Sequence, residues 1–158
     1  MSWAETFKIN SDMNTPLDKL IRSQRTYGAS DAVLAVLLSA EKQVSGYLHY
    51  TKYLTLAKFV SHTNGSMRVR ASIRRPSGSE QYAVLVVKKG SNEILRVITD
   101  WDISASVYQD IYGDIAIEDG ETYEICIGTE DGKTAYINSL KLCASIIDTS
   151  MIEYSTEV

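Results

Sequence analysis

The sequence predicts an all-β protein built as an antiparallel sandwich or barrel. Two observations carry this prediction. Apolar and polar residues alternate along several segments, and turn signals rich in Gly, Asn and Asp recur between those segments. A chain of 158 residues is long enough for one domain of this kind with a real hydrophobic core.

Residues 1–30 are interpreted as a separate N-terminal docking segment. A Thr-Pro pair at 15–16 is a helix start, and Leu17, Leu20 and Ile21 follow it at helical spacing. A helix of about two turns is too short to be stable alone, so it needs a surface to lie on. Either the segment packs on its own domain, or these three residues are interface candidates that dock on another subunit or partner.

The apolar stretch at residues 31–44 is ambiguous. Its alanine and leucine content favours a helix, and Ser30 is a suitable cap. The residues from Val33 to Leu38 nevertheless show no clean helical stripe. Because a short apolar run cannot be assigned by periodicity alone, both a strand and a helix stay open here.

The strand signal is strong from residue 47 onward. Turn sequences such as "TNGS" and "TEDGK" separate the candidate segments. The predicted strands are 50–61, 65–74, 81–88, 93–99, 106–117, 121–128 and 134–147. This places the sandwich domain at residues 31–148 and leaves 149–158 as a C-terminal tail.

The arginine row in "GSMRVRASIRR" (residues 65–75) is predicted to be the outer face of a strand. Arg68, Arg70 and Arg74 alternate with apolar residues, so they point away from the core. Residues 1–99 carry a net charge of +7 and residues 100–158 a net charge of −11. We therefore expect these arginines to face carboxylates of the same chain or of a neighbouring subunit, as interface candidates, with anion binding as the alternative.

Composition argues against several functional classes. The net charge of −4 disfavours nucleic acid as a partner, and no apolar run suits membrane insertion. The N-terminus has no signal segment and the two cysteines lack metal-site spacing, which predicts a soluble protein of a reducing cytoplasm. Neither histidine lies in a catalytic context, so we expect no enzyme activity, no bound cofactor and no metal site.

Aromatic residues supply the candidates for surface recognition. Ten tyrosines and two tryptophans occur, and such residues suit half-buried sheet positions as well as sugar and protein interfaces. Trp101, in the predicted loop "TDWDIS", and Tyr112 are the candidate contact residues. Packing within the fold is the alternative role for both.

The strand series as a unit resembles a small β-sandwich domain of structural proteins from tailed bacteriophages and prophages. The segments that carry the resemblance are "YTKYLTLAKFV", "GSMRVRASI", "QYAVLVVKKGSNEI", "VYQDIYGDIAIEDGETYEICI" and "TAYINSLKL". It spans roughly Val33 to Asp148 and favours a strand for the first apolar stretch. At 119–121 the sequence has "DGE", whereas the family commonly has Gly and then Asp.

The resemblance implies a jelly-roll-like sandwich in a virion structural protein, associated with a tail, baseplate or fibre and active in assembly or host attachment. Its implied partners are other virion proteins and copies of itself, a trimer by preference, with a host-surface glycan as a further partner. The implied location is the virion, assembled in the host cytoplasm. The alternative functions are a carbohydrate-binding module and a capsid decoration protein with the same fold.

Overall fold

The computed structural model describes residues 26–45 and 53–158. Their strands are, in chain order, β1 (Val33–Leu38), β2 (Lys42–Ser45), β3 (Leu54–Ser61), β4 (Gly65–Arg74), β5 (Val84–Lys89), β6 (Asn92–Ile98), β7 (Gln109–Ile117), β8 (Thr122–Gly128), β9 (Thr134–Cys143) and β10 (Ile152–Thr156). A short 3₁₀ turn at Thr149–Met151 precedes β10. Within these residues no helix is long and apolar enough to cross a membrane.

The strands form two antiparallel sheets packed as a sandwich, which confirms the predicted fold class. In the first sheet β9 lies between β4 and the pair β1 and β2, and β7 forms the far edge beyond β4. The second sheet has the order β10-β3-β8-β5-β6. Neighbours in a sheet come from distant parts of the chain, so the arrangement of strands follows from core packing rather than from hairpins alone.

The ambiguous stretch at residues 31–44 is extended, as the resemblance favoured, but it forms two strands, β1 and β2, rather than a single one. The register of β1 against β9 shifts twice, between Val33 and Ala35 and between Val36 and Leu38. Each shift interrupts the two-residue alternation, because an irregularity lets neighbouring side chains point the same way. This explains why the apolar residues of the segment show neither a strand period nor a helical one.

Strand β4 shows how the core is made. Its four apolar residues, Met67, Val69, Ala71 and Ile73, are at most 1% exposed, while the residues between them are half-buried on the other face. Side chains of the second sheet meet them across the sandwich. The alternation of the sequence therefore places the arginine row on the outer face of the first sheet.

The two sheets come close together at the edge formed by β6 and β7. A Cβ atom at Gly113 would lie 2.7 Å from Cδ1 of Leu95, so the absence of a side chain on β7 is what allows this approach. The connection between the two strands, residues 99–108, is consequently held at one end of the sandwich, beside the start of β7.

Both flanks of the predicted domain take part in the sandwich. Tyr27 is 1% exposed and forms a parallel bridge with Gly65, although the sequence analysis placed it in the docking segment. Strand β10 pairs with β3, although the sequence analysis assigned its residues to the tail. The predicted helix and its interface candidates Leu17, Leu20 and Ile21 lie outside the described residues, so their role stays a prediction.

Candidate functional site

The outer face of the first sheet carries the densest group of polar and aromatic side chains that the sequence analysis singled out. We call this surface the arginine face. It consists of Arg68, Arg70 and Arg74 on β4 and the residues that surround them on β7 and β9. Because β4 lies between β7 and β9, Arg68 and Arg70 have a paired strand on both sides, whereas Arg74 pairs only with β9.

Arg68 lies directly opposite Asp114 in the register of β4 and β7. Its guanidinium donates to the two oxygens of Asp114 at 2.8 and 3.2 Å and to Asp31 at 2.7 Å. These hydrogen bonds, that to Asp114 first, raise the pKa of Arg68. The same guanidinium lowers the pKa of Asp114, so this pair is fully ionised at neutral pH.

Arg70 is held in the same way by a carboxylate on β7. It donates to the two oxygens of Asp110 at 2.9 and 2.5 Å, and Asp31 accepts a third, longer hydrogen bond at 3.5 Å. The hydrogen bond from Arg70 lowers the pKa of Asp110. The acidic half of the chain thus supplies Asp110 and Asp114, as expected, whereas the acceptor that Arg68 and Arg70 share, Asp31, comes from residues 1–99. A role for these arginines at a subunit interface stays a prediction.

Arg74 is bound differently, between two tyrosine rings. The central carbon of its guanidinium lies 4.1 Å from the ring centroid of Tyr136 and 5.1 Å from that of Tyr108. The nearest carboxylate is that of Glu41, 3.8 Å away, which also accepts a hydrogen bond from the Tyr108 hydroxyl. Burial, and then this hydrogen bond, raise the pKa of Tyr108, so its hydroxyl stays protonated and donates.

The Nε atom of Arg74 is buried and, within the described part of the chain, has no hydrogen-bond partner. Arg68 and Arg70 use the same atom to bind a carboxylate. The guanidinium of the third arginine of the row is therefore placed mainly by cation–π contact with two tyrosine rings rather than by a paired carboxylate.

A shallow polar cleft of about 420 Å³ lies in the middle of the arginine face. It is lined by Arg70, Ala71, Ser72, Asp110, Asn138, Ser139 and Lys141. Its floor contains an irregularity of β9, because Ser72 pairs with Ser139 whereas Ile73 pairs with Ile137. The extra residue, Asn138, forms a bulge that brings both Asn138 and Ser139 to the cleft.

Tyr112 and Trp101, the two candidates for surface recognition, are both exposed. Tyr112 is 51% exposed, lies opposite Arg70 on β7 and has the Arg68 guanidinium 4.6 Å from its ring centroid. Tyr112 does not line the polar cleft itself, but it is the neighbour of two residues that do, Arg70 across the strands and Asp110 two residues earlier on β7. Trp101 is 46% exposed and lies in the 99–108 loop, at the end of the sandwich where β7 begins.

The structure adds site residues that the sequence analysis did not select. Tyr108, at the end of the 99–108 loop, and Tyr136, on β9, are distant in the sequence and meet only at Arg74. Asn138 reaches the cleft only because of the β9 bulge. The available signal was the polar composition of "YINS" within an otherwise apolar strand, but the register between β4 and β9 is needed to interpret it.

The described residues contain no group of three or more His, Cys, Asp or Glu side chains arranged to hold a metal ion. The carboxylates of the arginine face bind guanidinium groups instead. The chemistry offered by the face is accordingly hydrogen bonding by planar polar groups combined with contact by aromatic rings.

No family model matches this chain, and no curated protein matches it. Among solved structures, a family 35 carbohydrate-binding module from an environmental isolate is 16% identical with a TM-score of 0.45, over 75% of this chain and 91% of that one. Xyl-CBM35, in complex with a disaccharide containing glucuronic acid, is 12% identical with a TM-score of 0.46, over 80% and 93%. CBM6cm-2 of Cellvibrio mixtus lichenase 5A, in complex with cellotriose, is 12% identical with a TM-score of 0.43, over 72% and 99%.

These comparisons correct the functional interpretation of the sequence. The resemblance to bacteriophage structural proteins predicted a tail, baseplate or fibre component, and that prediction is wrong: the structures named above are carbohydrate-binding modules, and nothing points to phage tail proteins. The virion partners and the homo-oligomer expected with it are unsupported. The part of the resemblance that concerns the sandwich fold holds.

Proposed function

We propose that this domain binds carbohydrate on the arginine face, as a recognition domain rather than as an enzyme. The observation that carries the proposal is an exposed aromatic ring, Tyr112, placed next to Arg70 and Asp110, two residues that line a polar cleft on the sheet. The geometry of the arginine face itself supports the proposal.

The cleft matches the two chemistries of a sugar ring. A sugar presents hydroxyl groups around its edge, which act as both donors and acceptors, and apolar C–H groups on its faces. Asp110 offers acceptors, Lys141 offers donors and Asn138 offers both. The exposed ring of Tyr112 can pack against the C–H face, because an aromatic side chain combines large apolar area with low conformational entropy.

The site is preorganised, which favours recognition of a flexible ligand. Arg70 holds the Asp110 carboxylate with two hydrogen bonds, and Arg74 is fixed between Tyr108 and Tyr136. Side chains already fixed in the free protein lose less entropy when a ligand binds. The row from Arg68 to Arg74 covers about 20 Å of strand, so an extended oligosaccharide is a better fit than a single sugar.

The proposal is tested by screening the protein against an oligosaccharide array and then measuring binding by calorimetry. Tyr112→Ala should weaken binding of the best ligand roughly three- to tenfold, and Asn138→Ala should weaken it to a similar degree. The matched control is Tyr154→Ala. It removes a tyrosine of similar exposure, 47% against 51%, from β10 in the other sheet, and should leave the affinity unchanged.

Two results would overturn the proposal. One is that the unmodified protein binds no oligosaccharide of the array. The other is that a ligand is bound but Tyr112→Ala and Asn138→Ala retain the affinity of the Tyr154→Ala control, which would place binding on a different surface.

A further inference from the structure

We propose that Arg75 is a positioning residue for recognition: it ties two loops together at one end of the sandwich and so fixes Trp101 as a second contact residue. The contact role of Trp101 rests on the proposed carbohydrate-binding function, whereas the tie between the loops does not. Arg75 ends the arginine row of the sequence, but it lies beyond the last residue of β4 and has no place in the arginine face.

The guanidinium of Arg75 is surrounded by backbone carbonyl groups of two loops. Its Nε donates to the carbonyl of Ile103 at 2.5 Å, in the 99–108 loop. One Nη donates to the carbonyls of Pro76 and Gly78 at 2.8 and 2.9 Å and to that of Gln81 at 3.5 Å. One side chain thus bridges the loop after β4 and the loop before β7.

The loop after β4 needs such a support. Gly78 and Glu80 have φ values of +112° and +58°, and a side chain such as that of Glu80 is disfavoured in this region of backbone space. A backbone of this shape cannot use its carbonyls in a regular ladder, so it requires donors from elsewhere. Arg75 supplies donors to three carbonyls of this loop.

Trp101 lies between two fixed points of the other loop. On one side, the amide and carbonyl of Asp100 bond to the side chain of Gln109 at 2.7 and 3.0 Å. On the other side, the carbonyl of Ile103 binds Arg75, and its amide bonds to the Asp100 carbonyl at 3.3 Å. The backbone of Trp101 is therefore held at both ends while its side chain is 46% exposed.

An exposed aromatic ring on a fixed backbone is the arrangement that recognition requires. The ring offers a large apolar surface, and little conformational freedom is lost when a ligand covers it. The hydrogen bonds that Arg75 makes in the described part of the chain all go to backbone carbonyls. Its contribution is consequently to loop geometry, not to the pairing of charges.

The inference can be tested in a Trp3→Phe background, in which Trp101 is the single tryptophan of the chain. Arg75→Met removes the tie, and Arg75→Lys keeps the charge without the planar fork. Arg96→Met is the control, because it removes an arginine that binds Glu93 and Tyr53 instead. The readouts are the fluorescence anisotropy of Trp101, amide hydrogen exchange of Ile103 and Val107, and affinity for the best array ligand.

We expect Arg75→Met to lower the anisotropy of Trp101, to raise amide exchange of Ile103 and Val107 by about tenfold, and to weaken binding by roughly three- to tenfold. The anisotropy, amide exchange and affinity of Arg75→Lys should lie between those of Arg75→Met and of the unmodified protein. Arg96→Met should give the same three values as the unmodified protein. Should Arg75→Met fail to fold, the same readouts on Arg75→Lys decide the question.

The two proposals fail in different ways. If the unmodified protein binds no oligosaccharide, the proposed function and the contact role of Trp101 fall together, while the anisotropy and exchange data still decide whether Arg75 ties the loops. If carbohydrate is bound but Arg75→Met and Arg75→Lys show unmodified anisotropy, exchange and affinity, the positioning role of Arg75 is wrong. If Trp101→Ala binds as well as the unmodified protein, Trp101 is not a contact residue.

Discussion

Arg70 binds both carboxylate oxygens of Asp110, although the residue directly opposite Arg70 on β7 is Tyr112. The pair is thus diagonal across the two strands. A diagonal pair leaves the directly opposite position free for another side chain, and here that side chain is an exposed aromatic ring. The same geometry that fixes Asp110 in the cleft therefore also sets Tyr112 beside it.

The two carboxylates of β7 should make stability depend on pH. The folded state lowers the pKa of Asp110 and of Asp114 below the value of 3.8 for an ordinary aspartate. As the pH falls below about 4, the unfolded chain binds protons first, so the stabilisation present above that pH is lost as the pH falls through the folded pKa. The midpoint of urea unfolding should decrease between pH 5 and pH 3.

The pH effect can be assigned by substitution. The double variant Asp110→Asn and Asp114→Asn should be less stable at pH 7 and should lose less of its stability on acidification. Asp131→Asn, which alters an exposed loop carboxylate, should show the same dependence of stability on pH as the unmodified protein. Parallel pH profiles for the double variant and the unmodified protein would contradict the assignment.

Gly65 should tolerate no side chain. Its φ is +142°, and an added Cβ would lie 2.3 Å from the carbonyl oxygen of Tyr27. We expect Gly65→Ala to lower the free energy of unfolding by at least about 2 kcal/mol. At Gly90 the φ is +62° and an added Cβ would have no neighbouring atom within 4 Å. Gly90→Ala should therefore lower the free energy of unfolding by only about 1 kcal/mol. Denaturant unfolding compares the two, and equal losses would show that the clash is relieved by a small shift.

Tyr27 should behave as a core residue of the sandwich. It is 1% exposed, and its hydroxyl donates to the carbonyl of Asp148. Tyr27→Ala should lower the free energy of unfolding by about 3–5 kcal/mol, and Tyr27→Phe, which removes only the hydroxyl, by about 1 kcal/mol. Urea unfolding gives both values. If Tyr27→Ala lowers the free energy of unfolding by less than about 1 kcal/mol, Tyr27 is not a core residue and belongs to the docking segment.

Alternation along each strand predicted which face every residue of β4 occupies, because one buried and one exposed face impose a two-residue period. It could not predict β10. That strand forms a sheet edge on which four of five residues are exposed, so its sequence has no apolar stripe. The position of Tyr136 opposite Arg74 also escaped prediction, since pairing between distant strands follows from the whole core.

The function implied by the bacteriophage resemblance was wrong for a related physical reason. Its segments consist of core alternation and turns, which any antiparallel sandwich of this size requires. Such features identify the fold, whereas function depends on a few surface residues grafted onto it. Arg70, Asn138 and Tyr112 belong to that second group, and only the packed strands bring them together.

The stacking of Arg74 between Tyr108 and Tyr136 should matter for recognition more than for stability. Arg74→Lys keeps the charge but replaces a planar guanidinium by a compact ammonium that cannot stack on both rings. The free energy of unfolding should fall by no more than about 1 kcal/mol, since the side chain is partly exposed. Binding of the best oligosaccharide should weaken roughly three- to tenfold, because the two rings lose the planar group between them, and each ring is two residues before a residue of the cleft, Asp110 or Asn138. Binding calorimetry measures the affinity, and urea unfolding measures the stability, of the same preparation. If Arg74→Lys loses stability but keeps its affinity, the role of Arg74 is purely structural.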